Sequence, residues 1–215
     1  MAKLDWSLPL PEKTERRLAR LADLGERTFS VVLFAGLVVR VVADIAQRPG
    51  DGAILLSEGM VVLFMLLRRR PLTVSTRPLD WLAALLGTAA PMLIRPGGHA
   101  LAPPAIGLGL ILTGFGLAMW GKLTLRRSFG LAAANRGVVQ SGAYNVVRHP
   151  IYAGYLLTYI GFLLNNPTPW NAALYGITLG LIIVRIGAEE TVLRLDPRYA
   201  AFMTRVRYRV APGLY

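Results

Sequence analysis

Six apolar runs, separated by short polar connections, constrain this chain more than any other feature of its sequence. They cover residues 28–46, 53–67, 79–94, 101–123, 151–164 and 170–186. Of the 215 residues, 54% are hydrophobic and only 17% are charged, which is typical of a membrane protein. Inside a bilayer, an apolar segment satisfies its backbone hydrogen bonds by forming a helix. The sequence therefore predicts an all-α, polytopic transmembrane helical bundle with about five to six membrane segments.

The last two apolar runs are shorter than the roughly 20 residues that a full crossing requires. Between them, residues 165–169 read Asn-Asn-Pro-Thr-Pro and turn the chain, because neither proline continues a helix. We expect a carboxy-terminal helical hairpin that does not necessarily cross the whole bilayer. The expected organisation is a single membrane domain, 1–215. It has an interfacial segment at 1–27, four transmembrane helices at 28–123, and a loop, hairpin and tail at 124–215.

Lysine and arginine residues alternate between high and low numbers along the connections. The amino-terminal segment has six, the five connections have one, four, one, four and none, and the tail counted from Arg185 has six. By the positive-inside rule, both termini and the 124–149 connection are cytoplasmic. The net charge is +12, and its basic residues flank apolar runs, so membrane lipids and not nucleic acid are the expected partner. The expected location is a multi-pass protein of a bacterial inner membrane.

Several kinds of chemistry are excluded by composition. The chain contains no cysteine, which excludes disulfides, thiolate metal sites and cysteine nucleophiles. It has two histidines, His99 and His149, which are far apart in the sequence. A histidine-based metal site is therefore not expected.

The segment 136–155 begins with polar residues and leads directly into an apolar run. Proline is favoured at the first position of a helix, so Pro150 predicts a helix start with His149 at or beside the N-cap. A helix start with free N–H groups attracts anions, and Arg148 and His149 add two donors there. Tyr152, Tyr155 and Tyr159 follow Arg148 on one helical face. This segment predicts a binding site for a charged group at the bilayer surface, although the tyrosines alone also fit an interfacial belt.

A pair of carboxylates, Glu189-Glu190, lies at the cytoplasmic end of the last apolar run. No acidic residue separates Asp80 from Glu189. A carboxylate close to hydrocarbon is costly and is usually functional or paired. Consecutive helical residues point about 100° apart, so the two side chains cannot face the same group. Glu190 is expected to pair with Arg194 four residues later, which leaves Glu189 as the candidate ligand; Arg185, four residues earlier, offers Glu189 a neutralising partner instead.

Taken together, these motifs resemble a known signature. They are Gly142-Ala-Tyr144, Arg148-His149-Pro150-Ile-Tyr152-Ala-Gly154, Glu189-Glu190, Tyr199 and Pro212. They are similar to those of the isoprenylcysteine carboxyl methyltransferase and phospholipid methyltransferase superfamily, integral membrane enzymes that use S-adenosylmethionine. The resemblance covers about residues 105 to 212.

The resemblance implies the site residues and the cofactor. S-adenosylmethionine, whose product is S-adenosylhomocysteine, would be bound by Gln140, Gly142, Tyr144, His149, Pro150, Tyr152, Gly154, Glu189 and Glu190. Arg185 or Arg148 would hold the carboxylate of an amphiphilic acceptor that enters from the lipid. The Arg-His-Pro form favours carboxyl O-methylation of an isoprenylcysteine-like substrate.

Three alternatives stay open at this point. A phospholipid N-methyltransferase would use the same cofactor on an amine and would need a base. A sterol-type reductase would use NADPH, but its usual Asn-Tyr-x-Gly-Glu pattern differs from the Gly154-Tyr155 order found here. The chain would otherwise be a membrane transporter or a lipid-binding scaffold, although it shows none of the internal repeats common in transporters.

Overall fold

Helices form most of the chain in a computed structural model, which describes residues 12–44, 52–75 and 77–213. In chain order the helices are α1 (Glu12–Asp44), α2 (Gly52–Leu67), α3 (Pro78–Ala89), α4 (Pro104–Leu125), α5 (Pro150–Asn165), α6 (Pro169–Leu193) and α7 (Pro197–Arg205). Two short strands, β1 (Thr73–Val74) and β2 (Ala134–Asn135), pair antiparallel. The predicted helical class is therefore confirmed. In the described part of the chain, the segments Pro104–Ser128 and Pro169–Leu193 are long and apolar enough to cross a membrane, so the predicted five to six spans are not confirmed.

The first helix differs from the predicted boundary at residue 27. α1 is one continuous helix of 33 residues, so the expected interfacial segment and the first apolar run are not separate elements. At 1.5 Å per residue it is roughly 50 Å long, which exceeds a hydrocarbon core of about 30 Å. Residues 1–11 of the predicted interfacial segment lie outside the described residues.

The carboxy-terminal hairpin has arms of unequal length. α5 has 16 residues, as the apolar pattern predicts, and spans roughly 24 Å. α6 continues past the end of its apolar run to Leu193 and has 25 residues, so the expectation of two short arms is wrong for the second arm. Because α6 continues, Glu189 and Glu190 belong to the helix itself and their directions are fixed by it.

Glycines bring α4 and α5 into backbone contact. Gly107, Gly114 and Gly121 of α4 recur every seven residues and face Gly161, Gly154 and Ile151 of α5, so the two helices run antiparallel. A Cβ atom on Gly154 would lie 2.4 Å from the carbonyl oxygen of Gly114. By contrast, Gly109 and Gly116 have no neighbouring atom within 4 Å of such a Cβ. The glycines on the inner face thus serve close packing, and this contact fixes where the start of α5 lies against the end of α4.

A buried ionic network joins α1 to the loop that follows α4. Glu26 of α1 is ion-paired with Arg68, and the Arg136 guanidinium lies 3.4 Å from the same carboxylate. The Glu26 carboxylate also accepts hydrogen bonds from the backbone N–H groups of Leu131 and Ala132, each at 3.3 Å. Arg68, which the sequence places in a solvated basic connection, is therefore a buried structural residue. The network holds the 131–136 loop against the helices.

We predict that Gly114→Ala destabilises the protein by about 1–3 kcal/mol, because the new methyl group meets the backbone of α5 and cannot be relieved by a side-chain movement. Gly116→Ala, on the outer face of the same helix, is the matched control and should cause no loss. Thermal unfolding in detergent measures both. Equal melting temperatures for the two variants would contradict the close packing of α4 against α5.

Candidate active site

A cavity of about 460 Å³ lies among α4, α5, α6 and the 128–139 loop, with further walls from α1, α2, α3 and α7. This volume is in the range of small-molecule sites, roughly 300–1,000 Å³. The predicted site residues that line it are Tyr144, Arg148, His149, Tyr152, Arg185 and Glu189. These six come from two separate stretches of the sequence, 144–152 and 185–189. The stretches meet here because the start of α5 packs beside the end of α6.

The start of α5 is fixed by the carboxy-terminal tail. The backbone N–H groups of Arg148 and His149 donate to the carbonyl oxygens of Tyr208 and Arg209, at 2.9 and 2.7 Å. α5 begins at Pro150 as predicted, with His149 as the N-cap residue, but the His149 side chain does not cap the helix. Because the backbone of His149 is held by the tail, its ring is directed towards the two glutamates of α6.

Glu189 faces the cavity and has few partners. Its carboxylate accepts a hydrogen bond from the Tyr152 hydroxyl and lies 3.5 Å from Nδ1 of His149. The His149 and Tyr152 rings stack with centroids 5.8 Å apart, which holds both donors in position. The Glu189 side chain is 23% exposed, and it lines the cavity. Among the described residues, its ion-pair partner is His149 and not an arginine or a lysine.

Glu190, in contrast, is enclosed by cations. Its carboxylate lies 3.0 Å from Nε of Arg148, 2.9 Å from Nη2 of Arg209 and 3.3 Å from Nη2 of Arg194. His149 Nε2 is 3.4 Å away, and only 2% of the Glu190 side chain is exposed. The expected pair with Arg194 is present, but the buried Arg148 and the half-buried Arg209 also contact Glu190 and make this a structural cluster. Glu190 does not line the cavity.

The pKa of His149 is raised above its ordinary value. Burial alone lowers that pKa, because it disfavours the charged ring, but the hydrogen bonds with Glu189 and Glu190 outweigh burial. The two carboxylates therefore favour the protonated form of the His149 ring, which links the cavity-facing Glu189 to the enclosed Glu190.

The two arginines predicted to hold an acceptor differ in their availability. Arg148 lines the cavity, but its charge is balanced by Glu190. Arg185 is buried, donates to the Leu131 carbonyl oxygen at 3.1 Å, and lies 5.4 Å over the Tyr152 ring. The alternative that Arg185 neutralises Glu189 is not observed as an ion pair, and Nε of Arg185 has no hydrogen-bond partner. Arg185 is thus the more available cation.

Four further residues predicted to bind the cofactor do not line the cavity, namely Gln140, Gly142, Pro150 and Gly154. Gln140 is on the outside of the loop, where its side chain donates to the Arg198 carbonyl oxygen at 2.9 Å. Gly142 has φ +58° and its Cβ position would lie 2.7 Å from the Thr124 hydroxyl, so glycine is needed there for the turn. Pro150 starts α5 and Gly154 packs on α4. Their places in the motif reflect backbone geometry.

Four tyrosines line one side of the cavity. Ring centroids are 6.2 Å apart for Tyr152–Tyr155, 6.2 Å for Tyr155–Tyr159 and 4.4 Å for Tyr159–Tyr175. The stripe on α5 is therefore part of the cavity wall, continued by Tyr175 of α6. It leads from the polar end at Glu189 to an apolar end that includes Met92 and Ile94.

Lys122 is the cavity residue that the sequence reasoning missed. It is 2% exposed, lies in the last turn of α4, and lines the cavity. The available signal was a single charge inside an otherwise apolar run of 23 residues, 101–123. Two other buried polar groups also line the cavity, Arg136 and Tyr199. Burial lowers the pKa of Arg136 to about 10 against the opposing effect of Glu26, and burial raises the pKa of Tyr199.

Among the residues that the structure describes, no group of three histidine, aspartate or glutamate side chains is placed to hold a metal ion. The polar groups of the cavity instead suit an organic ligand that has both positive and negative charges.

Comparison with models of known protein families matches residues 103–195 to phospholipid methyltransferase. The matched segment contains α4, α5 and α6, and therefore Lys122, His149, Tyr152 and Glu189 of the cavity. The predicted family resemblance is confirmed over this segment. No curated protein sequence matches the chain.

We predict that His149 stabilises the fold more at low pH than at high pH. Because its pKa is raised on folding, its contribution is complete below about pH 6.5 and is lost as the pH rises through the raised pKa. The difference in unfolding free energy between wild type and His149→Gln should shrink between about pH 6 and about pH 9. His99→Gln, at an exposed histidine, is the control and should show no such trend. A difference that grows with pH would contradict the assignment.

Proposed function

Because residues 103–195 belong to the phospholipid methyltransferase family, in the superfamily that includes isoprenylcysteine carboxyl methyltransferases, we propose that the chain is a membrane methyltransferase that uses S-adenosylmethionine. Its acceptor is an amphiphilic lipid, and its product S-adenosylhomocysteine. The observation that carries this proposal is Glu189, a carboxylate that faces the cavity and has only His149 and Tyr152 as partners.

The polar end of the cavity has the donor set that such a cofactor requires. S-adenosylmethionine has an ammonium and a sulfonium, and Glu189 supplies a negative charge for the ammonium. The Tyr199 hydroxyl and Nε of Arg136 are buried beside it without a hydrogen-bond partner, and both residues line the cavity. These groups are donors for the carboxylate and hydroxyl oxygens of the same molecule. When bound, the cofactor would supply a methyl group on its sulfonium. An acceptor atom attacks the methyl carbon in line with the carbon–sulfur bond, and the sulfur leaves as a neutral thioether.

Carboxyl O-methylation of an isoprenylcysteine-like acceptor is the reaction we propose. An ionised carboxylate needs no general base, so the protein has to align two oppositely charged reactants and exclude water. Arg185 would hold the acceptor carboxylate, and the tyrosines of α5 would contact its apolar chain. Lys122 and Arg185 add positive charge to this part of the cavity, which supports an anionic acceptor.

Phospholipid N-methylation is the second candidate, and the description of the matched family favours it. That reaction requires a base that removes a proton from the amine. His149 is the imidazole of the cavity, but its pKa is raised by the two carboxylates beside it, which favours the protonated ring, and a protonated ring cannot accept a proton. This observation supports the carboxyl reaction over the amine reaction. The family match favours methyl transfer over the NADPH-dependent reductase and over the transporter or scaffold.

We predict that Glu189→Gln and Glu190→Gln have different effects. Glu189→Gln should weaken S-adenosylmethionine binding about tenfold or more, because a charge-assisted contact is lost, and should change the melting temperature little. Glu190→Gln should mainly destabilise the protein, by about 3–5 kcal/mol, because it leaves the buried Arg148 guanidinium without its counter-charge. Calorimetric titration of both variants measures the affinity for S-adenosylmethionine, and thermal unfolding measures their stability. Wild-type affinity in Glu189→Gln would remove this residue from the site.

Methyl transfer itself is tested with methyl-labelled S-adenosylmethionine and two acceptors, a farnesylcysteine analogue and phosphatidylethanolamine. Base-labile label on the farnesylcysteine analogue is the expected result, since base hydrolyses a methyl ester. Base-stable label on the lipid headgroup would establish N-methylation instead. NADPH, titrated separately, should not bind.

For location, the proposal is a multi-pass protein of the bacterial inner membrane with both termini and the active site in the cytoplasm. Because the chain has no cysteine, single cysteines at Ser141 and His99, both exposed, report on its orientation. A membrane-impermeant thiol reagent should label Ser141→Cys from the cytoplasmic side and His99→Cys from the opposite side. Labelling of both from one side would contradict this topology.

A further inference from the structure

Lys122 is a buried cation in the wall of the cavity. It is 2% exposed, and its Nζ atom lies 5.4 Å from the centre of the Tyr155 ring. A charge in an apolar membrane segment is costly and usually marks a ligand pathway or site. The carboxyl end of α4, where Lys122 lies, offsets part of this cost because a helix end favours a cation. Lys122 is also the only lysine in the chain after Lys13.

The charged groups of the cavity occur in a definite order. Starting from Glu189 and His149, the next ring is Tyr152, over which Arg185 lies at 5.4 Å, and the ring after that is Tyr155, over which Lys122 lies. Tyr159 and Tyr175 continue the row towards the apolar end. The order is therefore a carboxylate, then two cations from two different helices, then an aromatic and apolar wall.

From this order we infer that Lys122 acts together with Arg185 in binding the acid group of the acceptor. The inference rests on the proposed function and adds a second binding residue for that group. Arg185 reaches the row from α6 and Lys122 from α4, so a carboxylate between them meets a donor on each side. Its chain then lies along Tyr159 and Tyr175.

The chemistry of the transfer fits this placement. A carboxylate oxygen of the acceptor forms the new bond to the methyl carbon while the bond between that carbon and the sulfonium sulfur breaks. The electron pair of the broken bond remains on sulfur, so the products are a methyl ester and a neutral thioether, and no proton is transferred. The ester has no charge, so Lys122 and Arg185 no longer hold it, which favours its release into the lipid.

A binding experiment that does not depend on methyl transfer tests the inference. Calorimetry measures the affinity of the full-length protein in detergent for N-acetyl-farnesylcysteine and for its neutral carboxamide. The wild-type protein should bind the acid about tenfold or more tightly than the carboxamide, because a charge-assisted contact to each cation is gained. Equal affinities for acid and carboxamide would overturn the inference without any variant.

Variants then assign the effect to Lys122. Lys122→Met should lose about tenfold or more in affinity for the acid and nothing for the carboxamide, and Lys122→Arg should restore most of the acid affinity. Arg207→Met, which removes an exposed cation of the tail, is the control and should match wild type. Wild-type acid affinity in Lys122→Met, or equal losses for acid and carboxamide, would overturn the inference.

Two further measurements separate this inference from the proposed function. S-adenosylmethionine affinity should be unchanged in Lys122→Met. If the wild-type protein binds no S-adenosylmethionine, the proposed function fails, while the comparison of acid with carboxamide binding still tests the role of Lys122. Phosphatidylethanolamine that displaces the acid probe at equal concentration would overturn the carboxylate assignment and favour a phospholipid acceptor.

Discussion

The enclosure of the Glu190 carboxylate by arginine side chains holds the site together. Arg148 comes from the start of α5, Arg194 from the end of α6 and Arg209 from the tail, so one buried negative charge joins three parts of the chain. Glu190 and Arg148 are both buried, and each would be costly to bury without a partner of opposite charge. Because these charges satisfy one another, the adjacent Glu189 is left facing the cavity. The division between a structural and a ligand-facing glutamate follows from a rotation of about 100° on one helix.

Close packing supplies the second constraint. The backbones of α4 and α5 touch at glycines spaced by seven residues. This contact fixes the position of the first turn of α5 along the axis of α4, beside its last turn. This places Lys122 beside Tyr155. Tyr152, one turn before Tyr155, and His149 at the N-cap of α5 lie beside Glu189. The ordered row of charges and rings in the cavity therefore depends on glycines that do not line it.

The sequence predicted the features that depend on local pattern. The helix start at Pro150, the pairing of Glu190 with Arg194 and the meeting of His149 with the glutamates all follow from short spacings or a short signature. It did not predict Glu190 contacts with Arg209 or the burial of Glu26 with Arg68, because those charges are compensated by partners far along the chain. Gly142, Pro150 and Gly154 do not line the cavity, and the sequence did not reveal their contacts with the backbone, because a motif does not show whether a ligand or the backbone requires a residue.

Glu26 shows that residues outside the matched segment help to hold the cavity loop in place. The matched family segment, 103–195, contains the cavity loop and most of its charged residues. Yet the backbone of Leu131 and Ala132 in that loop is held by Glu26 of α1, and the Leu131 carbonyl oxygen in turn holds Arg185. The family segment is therefore not an independent module. A change in α1 that removes Glu26 can move the 131–136 loop and, through the Leu131 carbonyl oxygen, alter the position of Arg185 in the cavity.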